Sequence, residues 1–96
     1  MPFERGIDSS RTPPPLGAVG RAIEAVIAGG TDAQLREEVA RFAAAERALD
    51  HRPEEMLVTL KEELRRHAMP HLAQDAYRAL AERVVQWAIA EYYEAR

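Results

Sequence analysis

Cysteine is missing from these 96 residues. Neither disulfides nor thiolate metal sites are therefore available, and nothing ties the fold to an oxidising compartment. Serine is confined to Ser9 and Ser10, in a Pro-rich opening stretch. With no nucleophile elbow and no phosphate-cradling Gly loop, the common routes to nucleophilic catalysis are closed. No apolar run approaches the ~20 residues that span a bilayer, and the opening MPFERGIDSSRTPPP has no hydrophobic segment of the kind a secretory signal needs. A cytoplasmic location is the expectation. Positive charge is also scarce: 13 Lys and Arg against 16 Asp and Glu leave a net charge of −3. A dedicated nucleic-acid binder carries a basic patch that replaces phosphate counterions, so that class is disfavoured.

Aromatics make up only 6% of the chain, and 18 of its positions are Ala, which adds little burial. The few bulky residues must carry most of the packing. Ala, Leu, Glu and Arg dominate, the composition of a helical protein. Arg outnumbers Lys twelve to one, which with the Ala excess points to a GC-rich, bacterial genome. The length suits one domain. A domain of this size buries about two-thirds of its unfolded surface, and so thin a core makes self-association an expectation.

Residues 1–14 read as a flexible Pro-rich tail ahead of a single helical domain over residues 15–96. Phe3 and Ile7 are the tail's apolar contacts, should it pack on a neighbour or on its own bundle. The spacing of Leu16, Val19, Ile23, Val26 and Ile27 predicts a helix over residues 16–28. Pro15 suits its first turn, and Gly29-Gly30 its end. Gly20 lies at the edge of that stripe, where a missing side chain lets another backbone come close.

Thr31 and Gln34 have the spacing of a capping box for a helix over residues 32–49. Its apolar face is Leu35, Val39, Phe42, Ala43 and Leu49, and Glu37–Arg41 is a favourable pair one turn apart. Pro53, with Glu54 and Glu55 behind it, opens a third helix over residues 53–67. This helix carries Met56, Leu57, Leu60 and Leu64 inward, with Lys61 beside the stripe. Pro70 breaks the pattern, and a short turn at residues 68–71 is preferred over a kinked continuous helix.

The last helix, residues 71–94, holds Ala73, Tyr77, Leu80, Ala81, Val84, Trp87, Ala88 and Tyr92 on one side. Val85, Ile89 and Tyr93 form a second edge, so the apolar face is wider than a surface helix requires. The expected fold is all-α, a small four-helix bundle.

Two polar residues fall where apolar ones belong. Glu46 lies among Val39, Phe42, Ala43 and Leu49, and His67 among Met56, Leu60 and Leu64. A buried carboxylate needs a donor. For Glu46 that donor would be His67, an Arg, the Trp87 N–H or a Tyr hydroxyl. The plainer reading puts Glu46 at a rim, with its carboxylate in water. Glu63, His67 and His71 follow E-x-x-x-H-x-x-x-H, three potential ligands on one helical face. Pro70 interrupts that register, His51 is remote in sequence, and no metal or other cofactor is expected. Arg65 and Arg66 complement the negative end of the third helix. As a nucleic-acid contact they would need more positive charge around them than Glu62 and Glu63 allow.

The stronger functional lead is a surface. Val58 projects away from its helix's stripe, and Val85, Ile89, Tyr92 and Tyr93 have more apolar area than three Ala-rich helices can cover. The expected function is a non-enzymatic helical adaptor, regulator or accessory subunit. It would bind a protein partner or itself through these residues, as a homodimer or within a larger assembly. The alternatives are a small-molecule or metal-binding bundle using Glu46, His67 and His71, catalytic or not, and weak nucleic-acid binding through Arg65 and Arg66.

Overall fold

Proline opens two of the helices, and residues in the left-handed conformation close two. The computed structural model describes residues 14–94. The expected tail lies outside them over residues 1–13, Phe3 and Ile7 included. Pro14 already belongs to the first helix, α1 (Pro14–Ile27), two residues before the start predicted from periodicity. The first N–H groups of a helix have no intrahelical acceptor, so successive prolines are tolerated there. Helices α2 (Asp32–Ala48), α3 (Pro53–Ala68) and α4 (Gln74–Glu94) follow, with one 3-10 turn, Met69–His71, between the last two.

Helix α1 ends in a Schellman motif. The Gly30 N–H donates to the Ala25 carbonyl at 2.7 Å and the Gly29 N–H to that of Val26 at 3.0 Å, with Gly29 at φ +110°. Helix α2 ends in the same way without glycine. Asp50 takes φ +64°, its N–H donates to Arg47, and the His51 N–H donates to Glu46, both at 3.0 Å.

The capping box expected at Thr31 does not form: Thr31 holds the N-cap position with extended backbone, but its side chain makes no capping bond. Instead the Glu55 carboxylate accepts the Arg52 N–H at 3.3 Å, fixing the start of α3. Asp32, in the first turn of α2, ties to Arg83 of α4 at 3.2 Å. Arg41 reaches Glu37 at 3.8 Å but sits closer to Glu38, at 3.0 Å. Around Pro70 the chain makes the short turn rather than a kink, and Leu72 is extended before α4 begins.

Helix α1 packs on α2 and α3, and α4 packs on the same two. The four therefore form a ring in the order α1, α2, α4, α3. The core takes Leu16, Val19 and Ile23 from α1, and Leu35, Val39, Phe42 and Ala43 from α2. Met56, Leu60, Leu64 and Ala68 come from α3, and Leu80, Val84 and Ala88 from α4. Truncating one of the buried leucines to Ala should remove about 2–5 kcal/mol, because an interior this close-packed collapses only partly.

Tyr77 and Trp87, expected in the core, lie half-buried against it. Ala73 is exposed, since α4 starts only at Gln74. Leu49, expected on the buried face of α2, is 64% exposed. The helix stops at Ala48, and the left-handed turn at Asp50 leaves Leu49 outside. At the far end of α4 the Tyr92 hydroxyl donates to the His51 carbonyl, pinning α4 to the α2–α3 connection. No helix among the described residues is long and apolar enough to cross a membrane.

Asp50 is the one non-glycine residue with positive φ among the described residues, and it identifies a stabilising change. The left-handed conformation costs an L-residue roughly 1–2 kcal/mol, of which glycine's extra chain entropy cancels part. Asp50→Gly should raise unfolding stability by about 0.5–1 kcal/mol in urea titrations. A lower midpoint at unchanged slope would contradict this account of the turn.

Candidate functional site

Glu63 is the one charged side chain buried among the described residues, at 3% exposure. It lies on α3 one turn before His67, and its Oε2 is 2.9 Å from the His67 Nε2. The other ring nitrogen, Nδ1, is 2.5 Å from Oε2 of Glu24 on α1. Oε1 of Glu63 is 3.6 Å from the Arg66 guanidinium. The His67 ring therefore stands between two carboxylates, hydrogen-bonded to Glu24 through Nδ1 and in close contact with Glu63 through Nε2. Polar contacts thus run from Glu24 through His67 to Glu63 and on to Arg66, and no buried side-chain polar atom among the described residues lacks a partner.

Gly20 makes this arrangement possible. A Cβ at that position would lie 2.5 Å from the Glu63 Oε2 and 2.6 Å from the His67 Nε2, well inside any tolerable contact. The sequence places Gly20 at a close approach, and what approaches is a side-chain pair rather than a backbone. Both ring nitrogens are occupied by carboxylates, and the α1 backbone covers Glu63. The triad therefore acts as a clamp between α1 and α3, with neither ring nitrogen left to exchange a proton with a substrate.

The two inward-facing candidates, Glu46 and His67, are not brought together. Glu46 accepts from His51 Nδ1 at 3.0 Å, at the end of α2 that leads into α3, whereas His67 sits in the last turn of α3. His51 is the donor that sequence reasoning set aside as remote. The reversal at Asp50 brings it back over the last turn of α2, and only the left-handed cap could have signalled that. His71 leaves the 3-10 turn and lines a cleft of about 300 Å³ with Glu24, Ile27 and Ala28. No set of three potential ligands for a metal ion is assembled among the described residues. Arg65 and Arg66 are exposed and share a cleft with Glu62 and Pro70.

The outer side of α3 and α4 has a different character. Val58 is 62% exposed, Tyr93 57% and Ile89 37%. Val85 is half-buried, in a groove of about 500 Å³ lined by Lys61, Arg78, Ala81, Glu82 and Gln86. Tyr92 is half-buried with its hydroxyl spent on His51, and its ring stands edge-on to Tyr93, centroids 5.3 Å apart at 69°. That internal anchoring makes Tyr92 a support for Tyr93.

The two helices run antiparallel, joined by the short turn at one end and pinned by Tyr92 at the other. Lys61 and Val85 face one groove. One turn back along α3 is Val58, and one turn on along α4 is Ile89. In an antiparallel pair those steps go the same way, and with Tyr92 pinned to His51 they leave Val58 near the level of Val85 and Ile89 about one turn further on, near Glu54. No protein-family model, curated protein or solved structure matches this chain.

The clamp yields a stability test by urea unfolding. His67→Ala strands a buried carboxylate and should cost about 3 kcal/mol. Removing Glu63 as well, in Glu63→Ala/His67→Ala, should cost less than the single change, because no charge is left unpaired. Gly20→Ala alone should cost about 1–3 kcal/mol by overpacking, and most of that loss should vanish in the double-variant background, where the space is free. Additive losses would show that Gly20 does not act through the pair.

Proposed function

We propose that this chain is a non-enzymatic helical interaction module, an adaptor, regulator or accessory subunit that works by docking the outer α3–α4 seam on a protein surface. The observation that carries this reading is that Val58, Ile89 and Tyr93, on the neighbouring helices α3 and α4, keep 37–62% of their surface in water. Scattered apolar residues need no explanation, but several large ones on two neighbouring helices favour a partner. Covering Val58 and Ile89 would return up to about 1.5–3 kcal/mol each. Tyr93 adds a wide, stiff ring with a polar tip, the kind of side chain that anchors interfaces. Tyr92, fixed to His51, supports it from behind.

The Ala- and Arg-rich composition supports a bacterial origin. A ligand site uniting Glu46 with His67 finds no support, because each is already bonded elsewhere. Nucleic-acid binding through Arg65 and Arg66 is weakened by Glu62 beside them and by the net charge of −3.

Ile89→Asp with Tyr93→Ala removes the apolar strip without touching a fully buried residue. The doubly substituted chain should keep its circular dichroism spectrum. It should lose assembly mass in light scattering, or partners that the wild-type chain captures from its host. Unchanged mass together with an unchanged set of partners would exclude this seam as the working surface.

A further inference from the structure

We propose that the α3–α4 groove receives an acidic, amphipathic helical segment of another protein, its apolar side chains beside Ala81 and Val85 and its carboxylates against Lys61, Arg65 and Arg78. This rests on the outer face of α3 and α4 being the working surface, and goes further by naming the chemistry of the partner. The groove, of about 500 Å³, has Ala81 and Val85 half-buried along its wall and Lys61 and Arg78 exposed at its edge. Arg65 lies about 6 Å beyond Lys61 along α3, and Arg78 about 10 Å before Val85 along α4. The helices are antiparallel, so both steps lead toward the Met69–His71 turn. The three cations therefore gather at that end of the groove.

None of the three forms an ion pair among the described residues, whereas Arg41, Arg66 and Arg83 each meet a carboxylate. Lys61 and Arg65 stand one turn apart on one helix, where like charges weaken it. Glu82 is the one acid lining the groove, and Glu62 lines a separate cleft shared by Arg65, Arg66 and Pro70. This end of the face is thus positive in a chain whose net charge is −3. An amphipathic helix laid in a groove buries its apolar side and keeps the flanking residues at the rim. Carboxylates at that rim would meet cations that have no partner within the fold, and a basic helix would meet like charge. Glu54 and Glu55 flank Val58 at the other end of the face, so an acidic segment is held to the basic end. Single-stranded nucleic acid, the other polyanion, draws on aromatic rings to stack its bases. The exposed ring of this face, Tyr93, lies about 22 Å along α4 from Arg78.

The test is amide NMR of the isotope-labelled full chain, titrated with a short helical peptide that carries Leu on one face and Glu along its flanks. Matched peptides carry Gln or Lys in place of Glu, and oligo-deoxythymidine is the nucleic-acid probe. The Glu peptide should shift the signals of Lys61, Ala81 and Val85, bind about tenfold more tightly than the Gln peptide, and weaken as salt is raised. Lys61 and Arg78 are exposed, so Lys61→Glu/Arg78→Glu leaves the core intact, which circular dichroism checks. That variant should lose about tenfold in affinity for the Glu peptide and prefer the Lys peptide.

Equal binding of the Glu and Gln peptides, shifts confined to residues outside the groove, or no binding by any peptide would overturn the acidic partner. Oligo-deoxythymidine bound more tightly than the Glu peptide at the same residues would overturn it in favour of nucleic acid. Failure of the peptides together with host partners lost in Ile89→Asp/Tyr93→Ala would leave the docking surface standing without this partner. A groove that takes the Glu peptide, in a chain whose mass and partners Ile89→Asp/Tyr93→Ala leaves unchanged, would keep the acidic ligand and overturn the Ile89–Tyr93 face as the working surface.

Discussion

A carboxylate almost wholly removed from water has to be met by charge and hydrogen bonds, and in this bundle Glu63 imposes that condition on α1. Gly20 and Glu24 on α1 stand one turn apart, as do Glu63 and His67 on α3, and the two pairs are matched face to face. The apolar contacts between these helices supply the bulk of the burial energy, but Val and Ala surfaces lose little when one helix slides along another. The polar contact does not slide. Moving α1 by a single residue would set Val19 or Arg21 over the pair, at a point where even a methyl group finds an oxygen at 2.5 Å. In a chain so rich in Ala, the clamp selects one packing among several that the hydrophobic pattern would accept.

The other end of α3 is fixed by different means. The left-handed turn at Asp50 folds His51 back onto Glu46, and the Tyr92 hydroxyl takes the His51 carbonyl. Helix α3 is thus held to α1 near its C-terminus, and the connection that leads into it is held to α4. Between those fixings lies the stretch of α3 and α4 with Val58, Lys61, Val85 and Ile89. Such a surface is preorganised, so a partner docking there has less backbone and side-chain entropy to overcome.

Periodicity made the bundle legible. All four helices lie within about three residues of their expected ends, and the buried lines of α1, α2 and α3 follow their apolar stripes, because burial at 3.6-residue spacing is a local property of the sequence. The errors cluster where a local rule met a tertiary competitor. The Thr31 box is not made. Leu49 obeys the wheel of α2, but the helix ends before it is reached. Glu46 and His67 were both recognised as polar intruders, yet their partners were not. The spacing of Glu63 and His67 suggested metal ligands, and nothing local reveals that Glu24, forty-three residues before His67, supplies the second carboxylate. Gly20 was the available signal, a helix-weakening residue at the edge of a buried stripe, and it pointed to the right contact with the wrong occupant.

The distribution of bulk along α4 bears most directly on what the seam is for. Beyond Val84 the fully buried position on α4 is Ala88, while the neighbouring Ile89 and Tyr93 are exposed. A sequence optimised only for the monomer's core would place the larger group inside, where each buried methylene is worth about 0.8 kcal/mol. Ala88 instead lets α4 lie close against the bundle, and the large side chains stand on its outer edge. There they contribute little to the isolated fold, and they carry the liability of any exposed apolar strip. Charged residues surround these side chains, Glu54 and Glu55 beside Val58, and Lys61, Arg78 and Glu82 around Val85. Bulk placed outside and a support behind Tyr93 add little to the fold of the single chain, and they are what the proposed docking of a partner on this surface would use.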